Sequence, residues 1–336
     1  MKTRTSLHEP EVRPRSGNAW ARAIIRRPSL LHQWGSILNA NQARPTHAKT
    51  ERIEIKTDTC EVCHEMAGPI TSIGHNAGHS GCVPEILEVE LYRQAALSVR
   101  GRRLRRVDTD DSLVVSDGEE IQSLAGSKVV DVSRHGKLMT IHLDKGSIDL
   151  HFGMAGRIVV DGRSPIDQLV YGASDNSRWM RFGMYFDKGF LQISDPRRFS
   201  RVSIHAEDSK LGPDALGIDK RIFVESVSKR RGAVKAVLLN QKVIAGLGNM
   251  LVDEILFRCN IDPRAESRDL SPRALVSIHA SLCVVLTELT ERGGSHTGDL
   301  SFELRSPGAL CPQDGRRLSR EVVGGRTTFF CAFHQK

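Results

Sequence analysis

Six short segments of this 336-residue chain carry residue types whose spacing could do chemistry. The first is Pro84-Glu85-Ile86-Leu87-Glu88-Val89-Glu90. Proline at a first helical position followed by carboxylates is ordinary helix-start chemistry: proline gives up only an unpaired N–H, and acids complement the positive helix end. The same proline at a chain terminus would be a secondary amine, a nucleophile able to form an iminium with an aldehydic carbon. Val83 precedes it directly. A GUG codon reads as valine internally but can initiate translation in bacteria, so the expectation is a natural start at 83, trimmed to Pro84.

The second segment, Asn240 to Asn249 (NQKVIAGLGN), has two glycines that relax the backbone and an asparagine able to cap the helix MLVDEILFRC. It reads either as a plain helix-pair turn or as a phosphate site built from exposed N–H groups. Lys229, Arg230 and Arg231 add positive charge upstream. The third is Cys311-x2-Asp314, then 16 residues, then Cys331-x2-His334. Two ligand pairs at this spacing suit tetrahedral zinc with Asp in place of one thiolate; a hairpin that folds without metal is the alternative. Arg326 lies between the pairs in Gly325-Arg326-Thr327-Thr328. The fourth is Asp195-Pro196-Arg197-Arg198-Phe199 with His151-Phe152-Gly153-Met154. An Arg pair beside Phe is a solvated strand end, or an apolar wedge of the kind that fills the gap left by an extruded nucleotide. The fifth, Lys137 after Arg134-His135-Gly136, is uninformative alone. The sixth, Cys60-x2-Cys63-His64 with His75, His79 and Cys82, has near-finger spacing without the strand and helix pattern of a finger.

The elements that must position these groups follow from texture. Residues 1–83 have only short apolar pieces broken by Arg, Pro, Asn and His, and read as a disordered or mis-assigned extension. From Pro84 a helical stretch, ILEVELYRQAAL, leads into short strand-like segments: LRRVDTD, SLVVS, KVVDVSRHG, LMTIHLDKG, SIDLHFGM, RIVVDG, RWMRFGMYFDKGF, LQISD and RVSIH. Their turn-bounded alternation predicts an antiparallel sandwich or barrel over 84–215. Helical periodicity predicts a second domain over 216–292, and a Gly- and Arg-rich metal-type unit closes the chain over 293–336. The chain is 39% hydrophobic and net +8, but 1–83 holds 11 basic and 7 acidic residues and the remainder 37 and 33, so a polyanion site must come from clustering. No run approaches the roughly 18 apolar residues of a spanning helix and no apolar segment follows the first charges, which argues against a membrane or exported protein. Seven cysteines, sparse and odd in number, indicate a reducing compartment.

Singly these signals are weak, but their order is specific. Pro84-Glu85 with Glu88 and Glu90, Lys137 after a glycine, HFGMAGR, DPRRF, NQKVIAGLGN running into DEILF, and GRTTFFC between paired ligands together resemble the formamidopyrimidine-DNA glycosylase / endonuclease VIII family over about 84–336. The resemblance implies a multidomain α+β fold: an N-terminal β-sandwich, a helix-two-turn-helix domain and a C-terminal zinc-finger-type β-hairpin. It implies Pro84 as nucleophile toward C1′ of the damaged nucleoside, Glu85 as general acid/base, Lys137 near the sugar, and Arg326 on phosphate and in the later elimination. Met154, Arg197 and Phe199 match the gap-filling wedge, and Arg178, Arg198, Arg230 and Asn249 look placed for phosphate contacts.

The implied activity is base excision repair: removal of oxidised bases, with oxidised purines favoured, and abasic-site strand cleavage by β/δ-elimination. One structural zinc held by Cys311, Asp314, Cys331 and His334, no organic cofactor, damaged double-stranded DNA as partner, a monomer and a bacterial cytoplasmic, nucleoid-associated location complete the expectation. The chain departs from the family pattern at Leu87, where a second proline is usual, at Arg178, which stands near the place of a histidine, and at Asp314 and His334, where cysteines are usual. The stretch from Gly293 to Cys311 is short for a full lesion-capping loop. The competing reading is a catalytically silent DNA-binding protein of the same fold whose Pro84 is blocked.

Overall fold

The computed structural model describes residues 83–166, 177–204 and 210–336. The expectations for 1–82, with the candidate metal residues Cys60, Cys63, His75 and His79, lie outside the described residues.

Helix α1 (Ile86–Ala96) opens the fold and is buried on every side from Ile86 to Tyr92. Its N-cap is Glu85, so Pro84 stands before the cap and not at the first helical position that ordinary helix-start chemistry predicts. Two antiparallel sheets follow. Strands β1 (Leu104–Asp108), β6 (Met180–Phe186), β7 (Phe190–Ser194) and β5 (Arg157–Val160) pair in the order β1-β6-β7-β5. Strands β2 (Val129–His135), β3 (Leu138–Leu143), β4 (Gly146–His151) and β8 (Arg201–Ser203) pair in the order β2-β3-β4-β8. The strand-like stretch at 112–116 is not a ladder: Val114 and Val115 are buried, but their N–H groups close a turn on the Asp111 carbonyl, and only Val115 bridges Val202. A short helix, α2 (Gly118–Ser123), follows that turn.

The helical region comprises α3 (Lys220–Ser228), α4 (Val234–Leu239), α5 (Asn249–Arg258) and α6 (Pro272–Glu291). Among the described residues α6 is the one helix long and apolar enough to cross a membrane; Leu275, Ile278, Leu282, Val285, Leu286 and Leu289 spend its apolar stripe on the helical core. The hairpin of β9 (Ser319–Val323) and β10 (Arg326–Phe330) ends the chain.

Helix α1 belongs to two cores. Ile86 and Leu87 pack into the helical cluster, whereas Val89, Leu91, Tyr92 and Ala96 pack into the cluster between the sheets. Fully burying a valine, leucine or isoleucine is worth about 1.5–3 kcal/mol, so α1 pins both regions and its N-terminus is held at their seam.

Candidate active site

At that seam Glu85 is buried, and its carboxylate accepts hydrogen bonds from the N–H groups of Met250 (2.9 Å) and Leu251 (3.2 Å) in the first turn of α5. The Glu85 N–H donates to Glu88 Oε2 (2.8 Å), and Glu88 Oε1 accepts from the Ser295 N–H (2.6 Å), tying the start of α1 to the segment after α6. The loop before α5 wraps this start closely. A Cβ at Gly246 would lie 2.4 Å from Ile86 Cδ1, and one at Gly248 would lie 2.2 Å from Glu85 Cδ. These glycines therefore serve the close approach of Glu85 and Ile86. Gly248, not Asn249, is the N-cap, and the N–H groups of Met250 and Leu251, expected for a phosphate, are taken by a carboxylate of the chain itself.

Lys137 sits on the two-residue turn between β2 and β3, beside Gly136 at φ +58°. A Cβ at Gly136 would meet Ala245 Cβ at 2.9 Å, so this turn packs on the same glycine loop from the other side. Asp214 fixes the turn: Oδ2 accepts from the Gly136 N–H (2.6 Å) and from Arg134 Nη1 (2.6 Å), and Oδ1 accepts from Arg134 Nη2 (3.2 Å). Arg134 also donates to Glu90 on α1 (3.1 Å). Burial raises the Glu85 carboxyl above the ordinary range, outweighing the opposing pull of Lys137 and the two backbone donors, while Glu88 raises it further. Lys137, half-buried, is lowered by burial; Glu85 and Glu88 oppose that shift and Arg326 adds to it. Burial thus moves the carboxyl up and the amine down, the directions that bring an acid and a base closer together in proton affinity.

Arg326 starts β10 and is exposed. The backbone after it is clamped: Asn249 Nδ2 donates to the Thr327 carbonyl (3.0 Å), and Lys235 Nζ donates to Thr328 Oγ1 (2.7 Å). Lys235 and Asp253 are fully buried and paired at 2.6 Å, and the second Asp253 oxygen takes Arg305 at 2.9 Å. Sequence reasoning missed this network and the Glu90-Arg134-Asp214 ladder. The only available signal for the first was a lysine within the apolar run GAVKAVLL.

Asp195 is buried and is the main organiser of the loop that carries Phe199. Oδ1 accepts from the Arg197 N–H (2.9 Å), and Oδ2 accepts from the N–H groups of Phe199 (2.8 Å) and Ser200 (2.7 Å) and from the Ser200 hydroxyl (2.7 Å). These bonds hold Arg198 at φ +56°, a left-handed conformation that costs a non-glycine residue about 1–2 kcal/mol. Gly153, at φ +57°, lets its loop touch the Phe199 backbone, where a Cβ would lie 2.4 Å from the carbonyl oxygen. Phe199 (41% exposed) and Met154 (42%) are thereby neighbouring apolar side chains open to solvent, and Arg197 stacks on Phe199 at 4.5 Å. Arg198 instead turns to Asp111 (2.8 Å). Arg178 lies exposed before β6, and Arg230, past the end of α3, is exposed with Nε 3.4 Å from the Ser226 carbonyl.

Cys311, Asp314, Cys331 and His334 converge, with one donor atom from each within 4.8 Å of the others. Cys311 Sγ is 3.7 Å from His334 Nδ1, and Asp314 Oδ2 is 3.2 Å from Cys331 Sγ and 3.5 Å from His334 Nδ1. A tetrahedral zinc with bonds of about 2.0–2.3 Å spaces its donors by similar distances. Burial pushes the Cys311 thiol up to about 11, so a thiolate there calls for a cation. The four residues can hold a metal ion.

Comparison with known proteins agrees with this geometry. The family model described as the formamidopyrimidine-DNA glycosylase N-terminal domain matches residues 83–202, and the one described as that enzyme's H2TH domain matches 211–301. The formamidopyrimidine-DNA glycosylase of Variovorax paradoxus is 31% identical over 283 residues, and that of Acidovorax ebreus 32% over 281; each alignment covers 76% of this chain and 100% of the relative. The wild-type Lactococcus lactis Fpg solved in complex with an N7-benzyl-Fapy-dG-containing DNA superposes with a TM-score of 0.64 at 26% identity, covering 75% of this chain and all of that one. Two consecutive domain matches and relatives aligned over their whole length place this chain in the formamidopyrimidine-DNA glycosylase family.

Proposed function

We propose that this chain is a bifunctional DNA glycosylase and abasic-site lyase of base excision repair, acting on oxidised purines in double-stranded DNA with the Pro84 nitrogen as nucleophile. The observation that carries the reading is Pro84-Glu85 lodged at the seam of two cores, with Glu85 buried on the first turn of α5 and raised by that burial against the opposing charge of Lys137.

A base inside a duplex is out of reach, so the enzyme must extrude it, at a cost of a few kcal/mol that is smaller for a damaged base. Met154, Arg197 and Phe199 fill the vacated stack. The Pro84 lone pair forms a bond to C1′ and the C1′–base bond breaks, the base leaving with the proton that the Pro84 nitrogen gives up; Glu85 gives its proton to O4′ as the C1′–O4′ bond opens. The iminium that follows makes the C2′ proton acidic; its removal expels the 3′ phosphate, and a second elimination expels the 5′ phosphate. Lys137 contributes positive charge near the sugar. Arg326, Arg198, Arg230, Arg178 and Asn249 hold phosphates. Cys311, Asp314, Cys331 and His334 would hold a structural zinc, which would supply folding stability to the terminal hairpin and no reaction chemistry.

This chemistry requires a free Pro84. In support, the N-terminal family model begins at residue 83, and relatives of full length align to 76% of this chain. Borohydride trapping on an abasic duplex tests the point. A chain starting at Pro84 is expected to give a covalent adduct, and the same chain retaining Val83 none. Salt-sensitive binding without an adduct from either chain would establish the silent DNA-binding reading, and an adduct from a chain sequenced intact from residue 1 would overturn the role of Pro84.

A further inference from the structure

Arg198 is the member of the wedge loop that does not stand with the others. Its Nε donates to Asp111 Oδ2 at 2.8 Å, and its Nη groups make no hydrogen bond among the described residues. The partners are unequal: the Arg198 side chain is 49% exposed and that of Asp111 13%. Asp111 is fixed by its own turn, since its carbonyl accepts from the N–H groups of Val114 (2.9 Å) and Val115 (2.8 Å) and its Oδ1 from that of Leu113 (3.3 Å). It keeps a second cation in Arg181, 3.5 Å away, whose Nε is anchored on the Asp195 carbonyl (2.7 Å). Arg198 can therefore leave without stranding Asp111, and the open cleft of about 540 Å³ that they share, lined also by Asp108 and Asp110, gives it room to swing.

We propose that Asp111 is an internal counter-ion that Arg198 exchanges for a backbone phosphate of the DNA, so that Asp111 sets how tightly the protein grips the duplex. The inference rests on the reading that Arg198 faces phosphate. A carboxylate and a phosphate compete for one guanidinium, and each is a charge-assisted acceptor. Breaking the half-exposed internal pair subtracts its small worth from every binding event. The exchange limits affinity for intact DNA, where a repair protein must release quickly, while leaving the wedge fixed by Asp195.

The test is a double-mutant cycle on the full chain. Binding is measured to a duplex with one reduced, uncleavable abasic site and to the same duplex undamaged, at several KCl concentrations, with thermal unfolding of each variant alongside. Asp111→Asn keeps the shape of the turn and is expected to tighten binding to both duplexes by about two- to fivefold. Arg198→Ala is expected to weaken binding and reduce the salt slope by about one. In the Arg198→Ala background, Asp111→Asn is expected to change nothing. Equal tightening in both backgrounds would reduce Asp111 to a through-space repulsion of DNA and overturn the exchange. An unaltered or weakened affinity for Asp111→Asn, with Arg198→Ala still weakening, would also overturn it. No effect of Arg198→Ala would instead remove Arg198 from the DNA grip, and the proposal would fall with that reading.

Discussion

The surround of Glu85 and the loop around Phe199 solve opposite problems. Glu85 is buried and held by elements far apart in sequence: α5 supplies its donors, the glycine loop its walls, and the lysine turn its neighbouring charge. Phe199 is exposed, and the loop that presents it is held mainly by Asp195, at most five residues away. A buried carboxyl needs a complete surround, because each unpaired buried polar atom costs about 1–3 kcal/mol. Exposed side chains on a loop gain definition from a stiff local base, and Asp195 supplies one here. Substitutions in the first region should therefore damage chemistry, and substitutions in the second should damage stability or grip.

The largest expected effect is at Glu85. Glu85→Gln keeps acceptors for α5 but cannot deliver a proton, so single-turnover base excision should slow by about 10²- to 10⁴-fold. Affinity for a reduced abasic duplex should change little. Gly248→Ala should act in the same direction without touching a titratable group, since its Cβ would occupy the space of the Glu85 carboxyl carbon. Equal losses of binding and rate in both variants would erase the distinction between the two regions.

The wedge loop should show the reverse pattern, in two steps. Asp195→Ala leaves three N–H groups and the Ser200 hydroxyl without their acceptor, and should cost about 2–4 kcal/mol in urea unfolding. Phe199→Ala, on an exposed side chain, should cost under about 0.5 kcal/mol of stability. It should nevertheless weaken binding to a reduced abasic duplex by about tenfold, because the unstacked gap loses its filler. A stability loss at Phe199 as large as that at Asp195 would mean the loop is core and not a presented wedge.

The same contrast decides what could be read before the fold. The Phe199 loop was legible as a string, since DPRRF contains both the carboxylate that holds the loop and the side chains it presents. The Cys311 to His334 set was legible because ligand spacing is local. The surround of Glu85 was not: Asp214, Gly248 and Ser295 lie 129 or more residues away, and nothing within PEILEVE announces them. The glycines of AGLGN were visible, but their purpose was not, because only the approach of Glu85 and Ile86 requires them. Residues 112–116 misread as a strand for a related reason: valines serve burial in a turn as well as in a ladder. Helix α2 left no trace because its six residues bury only Ile121.

The smallest expected effect concerns the proton itself. If Glu85 acts as the acid, excision must fall as pH rises through its raised value, which places the alkaline limb of the rate profile on Glu85. Lys137 lowers that value, so Lys137→Met should move the limb to higher pH, whatever it does to the maximal rate. Glu88 raises it, so Glu88→Gln should move the limb to lower pH. Stability provides a second readout that needs no turnover. A carboxyl raised on folding contributes stability present at low pH and lost as pH rises through the folded value, so the pH at which urea resistance declines should shift the same way in each variant. Limbs that move together, or stay while the stability curves separate, would assign the kinetic proton to another group, and the wholly surrounded carboxyl would then be a structural feature of α1.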